Sequence, residues 1–115
     1  METILQRLTE LDEIHNAIIV DKEGLIVSGI LRSEDEEMIG AMSAAAFGSI
    51  SNVTNHAGQS EPQHVMIETK QGALHMEASN DMILVAITRG QVNHGRVRLE
   101  MKKASRQLAQ MIASY

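Results

Sequence analysis

The chain has 115 residues, 43% hydrophobic and 22% charged, with one proline, no cysteine and a formal net charge of -5 at neutral pH. That length holds one core and not two, the composition excludes disorder, and the lack of cysteine excludes disulfides and thiolate chemistry. The acid excess argues against a general nucleic-acid binder, and Phe47 and Tyr115 as sole aromatics are too few for base-stacking platforms.

The opening METILQRLTELDE has neither a basic leader nor an apolar run of signal-peptide length, and no uncharged stretch is apolar enough to span a bilayer. The expectation is a cytoplasmic protein without membrane insertion. Ile4, Leu5, Leu8 and Leu11 recur at helical spacing, which predicts an amphipathic helix over residues 3 to 12 with Thr3 as its cap. NAIIVDKEGLIVSGIL then changes to two β-branched runs around DKEG, where Asp21 and Gly24 supply turn chemistry, so a hairpin is predicted.

SEDE at 33 to 36 matches a capping box: Ser33 accepts from a first-turn N–H and Glu36 reaches back. A long helix is expected from there to an end between Asn52 and Gly58. Three strands follow, HVMIETK, ALHMEAS and MILVAITR, separated by QG and ND. The last segment sets Val97, Met101, Ala104, Leu108, Met111 and Ile112 on one helical face, with Asn93 as the cap.

AIIV at 17 to 20 and MILVAI at 82 to 87 are apolar at successive positions, as strands buried on both faces are, so they belong in the middle of the sheet. HVMIETK alternates, with Val65 and Ile67 on one face and His64, Glu68 and Lys70 on the other, and reads as an edge. Sequential hairpins then give an α+β domain over residues 1–115 with a five-stranded antiparallel sheet in the order 2-1-5-4-3. The long helix covers one face and the two terminal helices the other.

MIGAMSAAAFGSISNVTNHAG, residues 38 to 58, contains no Asp, Glu, Lys or Arg. On a helical wheel Met38, Ile39, Met42, Ala46, Phe47, Ile50 and Val53 form an apolar stripe expected to cover the sheet. The reverse side carries Gly40, Ala44 and Gly48, flanked by Ala41, Ala45 and Ser51. Small side chains admit a second backbone closely, and two helical glycines cost roughly 1 kcal/mol each relative to alanine. A homodimer that pairs these small ridges about a two-fold axis offsets that cost. Exposure of the small residues to solvent, or cover by a terminal helix of the same chain, is the alternative.

The chain holds no nucleophile elbow and no Gly-rich phosphate loop, so neither a catalytic trio nor nucleotide hydrolysis is expected. A two-residue turn at Gln71-Gly72 places Glu68 opposite His75 and Met66 opposite Glu77. With His64 on the diagonal that suggests a metal site, but the spacing is not a characteristic one and a cross-strand pair explains it, so no metal and no cofactor are assigned. His15, His56 and His94 fall at element boundaries, where capping accounts for them. Arg96, Arg98, Lys102, Lys103 and Arg106 make a basic outer side on the last helix, read as a solvated face.

AIIVDKEGLIVSGIL, DEEMIGAMSAAAFGS, ASNDMILVAITR and NHGRVRLEMKKAS in this order resemble the roadblock family of small dynein-light-chain-like proteins and their bacterial and archaeal relatives. The resemblance implies an α-β-β-α-β-β-β-α fold, a homodimer through the long helix and third strand, and a non-enzymatic role as scaffold or regulator of a Ras-like small GTPase. An adaptor dimer in a motility, polarity or signalling complex, without effect on GTP turnover, is the alternative. A ligand-sensing domain of similar shape is a third class and requires a hollow between sheet and helix.

Carried onto this chain, the family-like interface helix spans Ile39, Met42, Ser43, Ala44, Ala45, Ala46 and Gly48. The dimer strand falls on Val65, Met66, Ile67, Glu68 and Thr69. The resemblance places the partner on the paired helices, with Ser43, Phe47, Asn52 and Asn55 as contact candidates. Arg32 and Arg89, near strand ends, are the candidates for a transferred arginine finger.

Overall fold

Every element anticipated from the sequence forms, in the anticipated order. The computed structural model describes residues 1 to 30 and 35 to 113. It contains α1 (Glu2–Thr9), β1 (Ile14–Asp21), β2 (Ile26–Ile30), α2 (Glu36–His56), β3 (His64–Thr69), β4 (Gly72–Ser79), β5 (Met82–Arg89) and α3 (His94–Ala113). The strands form one antiparallel sheet in the order β2-β1-β5-β4-β3.

β1 and β5 lie at its centre because their side chains are apolar on both faces. Strand alternation sends Ala17, Ile19, Leu84 and Ala86 toward α1 and α3, and Ile18, Val20, Ile83 and Val85 toward α2. The sheet therefore divides two cores. Leu5, Met101 and Leu108 are fully buried in the first and Met76 in the second, where Phe47 is buried beside it. Each such side chain contributes roughly 1.5–3 kcal/mol by leaving water.

Local chemistry sets the ends. The Asp21 carboxylate accepts from the N–H groups of Glu23 and Leu25 at 3.0 and 2.9 Å, which turns the chain from β1 to β2. Gly24 stands there at φ +91°, and a Cβ on it would lie 2.9 Å from the Ala41 Cα. The Asn93 carboxamide oxygen accepts from the Arg96 N–H at 3.1 Å and caps α3, as its position suggested.

Two helix starts differ from expectation. α1 begins at Glu2 behind Met1, so Thr3 lies inside its first turn and caps nothing. It ends at Thr9, short of residue 12, where the Thr9 hydroxyl donates to the Leu5 carbonyl and the chain turns so that Leu11 N–H reaches Leu8. α2 is capped by Asp35, whose extended backbone lets its carboxylate accept from the Met38 N–H at 3.2 Å. Asp35 and Met38 have the same three-residue spacing as the expected Ser33 and Glu36, and Asp caps as well as Ser. Ser33 itself lies outside the described residues.

Candidate functional site

α2 meets the sheet through a different side from the one the apolar stripe indicated. Gly40, Ser43, Ala44, Phe47 and Ser51 are buried beneath it, whereas Met38, Met42 and Val53 are 55%, 63% and 67% exposed. Ile39, Ala46 and Ile50 pack at its flank, half-buried. Small residues bring this helix close to its own sheet: a Cβ on Gly40 would lie 3.0 Å from Val20 Cγ1 and 3.1 Å from Ile26 Cγ1. Of the expected interface positions, Gly40, Ala44 and Ser51 are thus occupied within the chain, and so are Ser43 and Phe47 as partner contacts. Ala41, Ala45 and Gly48 are exposed.

The large apolar side chains point outward instead. Met38, Met42, Ala45, Ser49 and Val53 form one exposed ridge on α2, and no Asp, Glu, Lys or Arg interrupts it before Gly58. Beside this ridge an apolar groove of about 320 Å³ runs between Ile39, Met42 and Ala46 on α2 and Ile67, Leu74 and Met76 on the sheet. Its far wall is β3, the end strand of the sheet, with Met66, Ile67, Glu68 and Thr69 exposed and Val65 half-buried. An end strand presents backbone N–H and C=O groups that no neighbour in the sheet takes up. Ridge, groove and strand edge form one continuous surface.

On the opposite sheet face the hairpin of β3 and β4 carries polar side chains, with its register two residues from the expected one. Thr69 pairs with Gly72, so the turn is Lys70-Gln71 and Met66, not Glu68, lies opposite His75. Glu68 lies opposite Ala73, and His64 opposite Glu77. Gly72 misled the reading. It belongs to β4 at φ +154°, where a Cβ would collide with the Thr88 carbonyl, while the turn is held by Thr69 Oγ1 accepting from the Gln71 N–H at 3.2 Å.

The corrected register assembles a chain that sequence reasoning missed. His64 Nδ1 donates to Glu77 Oε1 at 2.6 Å, His64 Nε2 meets His75 Nδ1 at 2.8 Å, and His75 Nε2 meets His94 Nδ1 at 3.1 Å. His75 is fully buried, and the His64 and Glu77 side chains are 6% and 8% exposed. Burial above all, then the neighbouring His64, His94 and Arg98, lowers the His75 pKa to about 4. The two nitrogens of His75 point to different partners, so three ring nitrogens do not converge on one point. Among the described residues no group has the geometry to hold a metal ion. The available signal was His75 and Glu77 at i, i+2 on one strand face, opposite an edge histidine.

The other expected residues lie apart. Asn52 and Asn55 are exposed at the C-terminal end of α2, where Asn55 Nδ2 donates to Glu61 Oε1 at 3.2 Å. Hydrogen bonds from Ser51 and Asn55, with Lys22 nearby, lower the Glu61 pKa. Arg89 is exposed at the end of β5, and Arg32 lies outside the described residues. Arg96, Arg98, Lys102, Lys103 and Arg106 form the exposed side of α3, with Arg96 3.6 Å from Glu13 and Lys103 3.4 Å from Glu100. Between α2 and the sheet Phe47, Ile18, Ile83 and Met76 pack together, and a cleft of about 240 Å³ lined by Ala44, Phe47, Ser51, Asn55, Glu61 and Ile83 flanks them, opposite in kind to the apolar groove because polar side chains line its mouth.

Comparison with known proteins adds an independent line. The family model described as Roadblock/LC7 domain matches residues 1–88. MJ0714 of Methanocaldococcus jannaschii is 32% identical over 112 residues, spanning 96% of this chain and 95% of that protein. Among solved structures, Myxococcus xanthus MglB superposes with a TM-score of 0.94 at 24% identity, over 99% of this chain and 95% of that one. A Roadblock/LC7 domain from Streptomyces avermitilis superposes at 0.91 with 11% identity, over 98% of both chains. These structural likenesses concern the fold.

Proposed function

The chain belongs to the Roadblock/LC7 domain family, whose domains are non-catalytic scaffolds, and we propose that it acts as a homodimer that binds a Ras-like small GTPase and modulates its nucleotide cycle. The observation that carries the reading is the continuity of the α2 ridge, the apolar groove and the β3 edge. A two-fold axis beside Met42 and Ile67 sets ridge against ridge and lets the two β3 edges hydrogen-bond, so one contact covers all three features. Ala45 within the ridge, and Ala41 and Gly48 at its margins, have small side chains that let the partner helix approach.

A dimer of this kind presents a composite surface that neither subunit has alone. Bound near the switch regions of a Ras-like GTPase, it changes their population by contacting one nucleotide state better than the other, while hydrolysis remains the GTPase's own chemistry. Sedimentation velocity on the purified chain tests the first step. Single-turnover GTP hydrolysis by a Ras-like GTPase recovered with it in a pull-down, measured with and without the chain, tests the second. A changed rate supports regulation, nucleotide-independent binding at constant rate assigns the adaptor role, and a monomer at all concentrations refutes both.

A further inference from the structure

Four polar side chains from three elements, Glu77 and His75 on β4, His64 on β3 and His94 on α3, hydrogen-bond end to end beneath the sheet face. Each contact holds one hydrogen, because two facing lone pairs repel and two facing N–H groups collide. Three neutral imidazoles bring three N–H groups. All three are therefore used, each pointing toward the Glu77 carboxylate, and His94 Nε2 is left at the outer end without one.

One added proton fits this arrangement. It enters at His94 Nε2, or at any ring once the hydrogens shift one place, with every contact kept and the charge of the group brought from minus one to zero. A second has no such position. It must break a contact or neutralise the carboxylate that balances the first, and either way it leaves a positive charge in a buried group. Arg98 and Lys102 on α3 line the 370 Å³ groove at the His64 and Glu77 end and oppose it. Glu68 and Lys70 line the groove at His94, while β5 sets Leu84 and Ala86 beside Glu77 and His75 and so brings no compensating charge.

The group also fastens β3. Beyond its ladder to β4, this strand is anchored by His64 and Val65, since Met66 to Thr69 are exposed. We propose that Glu77, His64, His75 and His94 form a one-proton latch, which ties the edge strand to β4 and α3 while it holds no more than one added proton and frees the strand when a second enters. Acid would then open the subunit contact through β3; that consequence rests on the proposed dimer, whereas the latch does not.

The test uses the full chain, labelled with nitrogen-15, between about pH 8 and about pH 4. Long-range proton–nitrogen spectra read the charge on each ring, amide hydrogen exchange reads the protection of β3, and sedimentation at the same pH values reads the subunit state. The expected result is uptake of one proton across His64, His75 and His94 with β3 still protected. The second proton then arrives together with a loss of β3 protection of about tenfold or more, while β1 and β5 stay protected. Two or three protons taken up with β3 intact overturn the latch, as does uptake of none before global unfolding.

A His75→Phe variant separates the end rings, so His64 and His94 are expected to take up two protons independently; persistence of one-proton uptake overturns the proposal. If that variant does not fold, the wild-type titration decides alone. One-proton uptake in a chain that is monomeric throughout supports the latch and counts against the dimer.

Discussion

Met42→Glu is the sharpest probe of the α2 surface. Met42 is 63% exposed in the single chain and lies on both the ridge and the wall of the apolar groove. Complete burial of a methionine side chain contributes roughly 1.5–3 kcal/mol, so covering the exposed part contributes about 1–2 kcal/mol, and a two-fold contact includes it twice. Losing about 2–4 kcal/mol weakens a dimer roughly 30- to 700-fold, before counting the desolvation of two carboxylates near the axis. Sedimentation velocity across a concentration series measures the shift, and far-UV circular dichroism checks that the monomer keeps its fold, as an exposed substitution should allow. A variant dimer as tight as the wild type would remove α2 from the contact and refute the reasoning.

Ala44→Glu two residues later has the opposite expectation: Ala44 is 6% exposed against the sheet, so an unpaired carboxylate there costs several kcal/mol and gives unfolded or insoluble chain, read by circular dichroism and solubility. Phe47→Ala, at 4% exposure, should cost about 3–5 kcal/mol in urea denaturation, through the cavity left between α2 and the sheet. Asp35→Ala removes the carboxylate that caps α2 and should cost about 1 kcal/mol, a fall in Tm of roughly 4–8 °C by calorimetry. Stability should also fall in acid, because unfolded His75 takes a proton near 6.5 and folded His75 only near 4, so the unfolded state binds more protons between those values. The His75 contribution is complete above pH 6.5, declines through the window and is lost by about pH 4, a change on the order of 3 kcal/mol. Urea denaturation at several pH values measures the slope, which His75→Phe should flatten.

The strand order was legible because it depends on a property that single residues carry. Ile18, Ile19, Leu84 and Val85 are apolar on both sides of their strands, and such strands fit where both faces are covered, at the centre of this sheet. The facing of α2 was not legible for an equally definite reason. Gly40, Ala44 and Ser51 suit any close approach, and sterics alone do not distinguish a sheet beneath the helix from a second helix beside it. Val20 and Ile26, within 3.1 Å of a Cβ on Gly40, decide the matter, and their position follows from tertiary packing. The histidine chain was hidden by a register slip of two, which keeps every residue on its face but exchanges its partner. His94 enters from the start of α3, nineteen residues beyond His75, where no strand pairing indicates it.

The close seating of α2 also bears on what its outer side is for. Small residues beneath the helix lower it onto the sheet, and Phe47 alone supplies a large ring to that contact. The fold therefore draws little on Met38, Met42 and Val53, which project away from the core at more than half exposure. Replacing such positions with Lys or Glu changes stability by no more than about 0.5 kcal/mol in most folds, and charge there improves solubility. The folding of one subunit thus gives no reason for an apolar outer ridge. An apolar ridge beside an apolar groove and an open strand edge is what a contact between subunits requires, and the proposed dimer gives all three features one explanation.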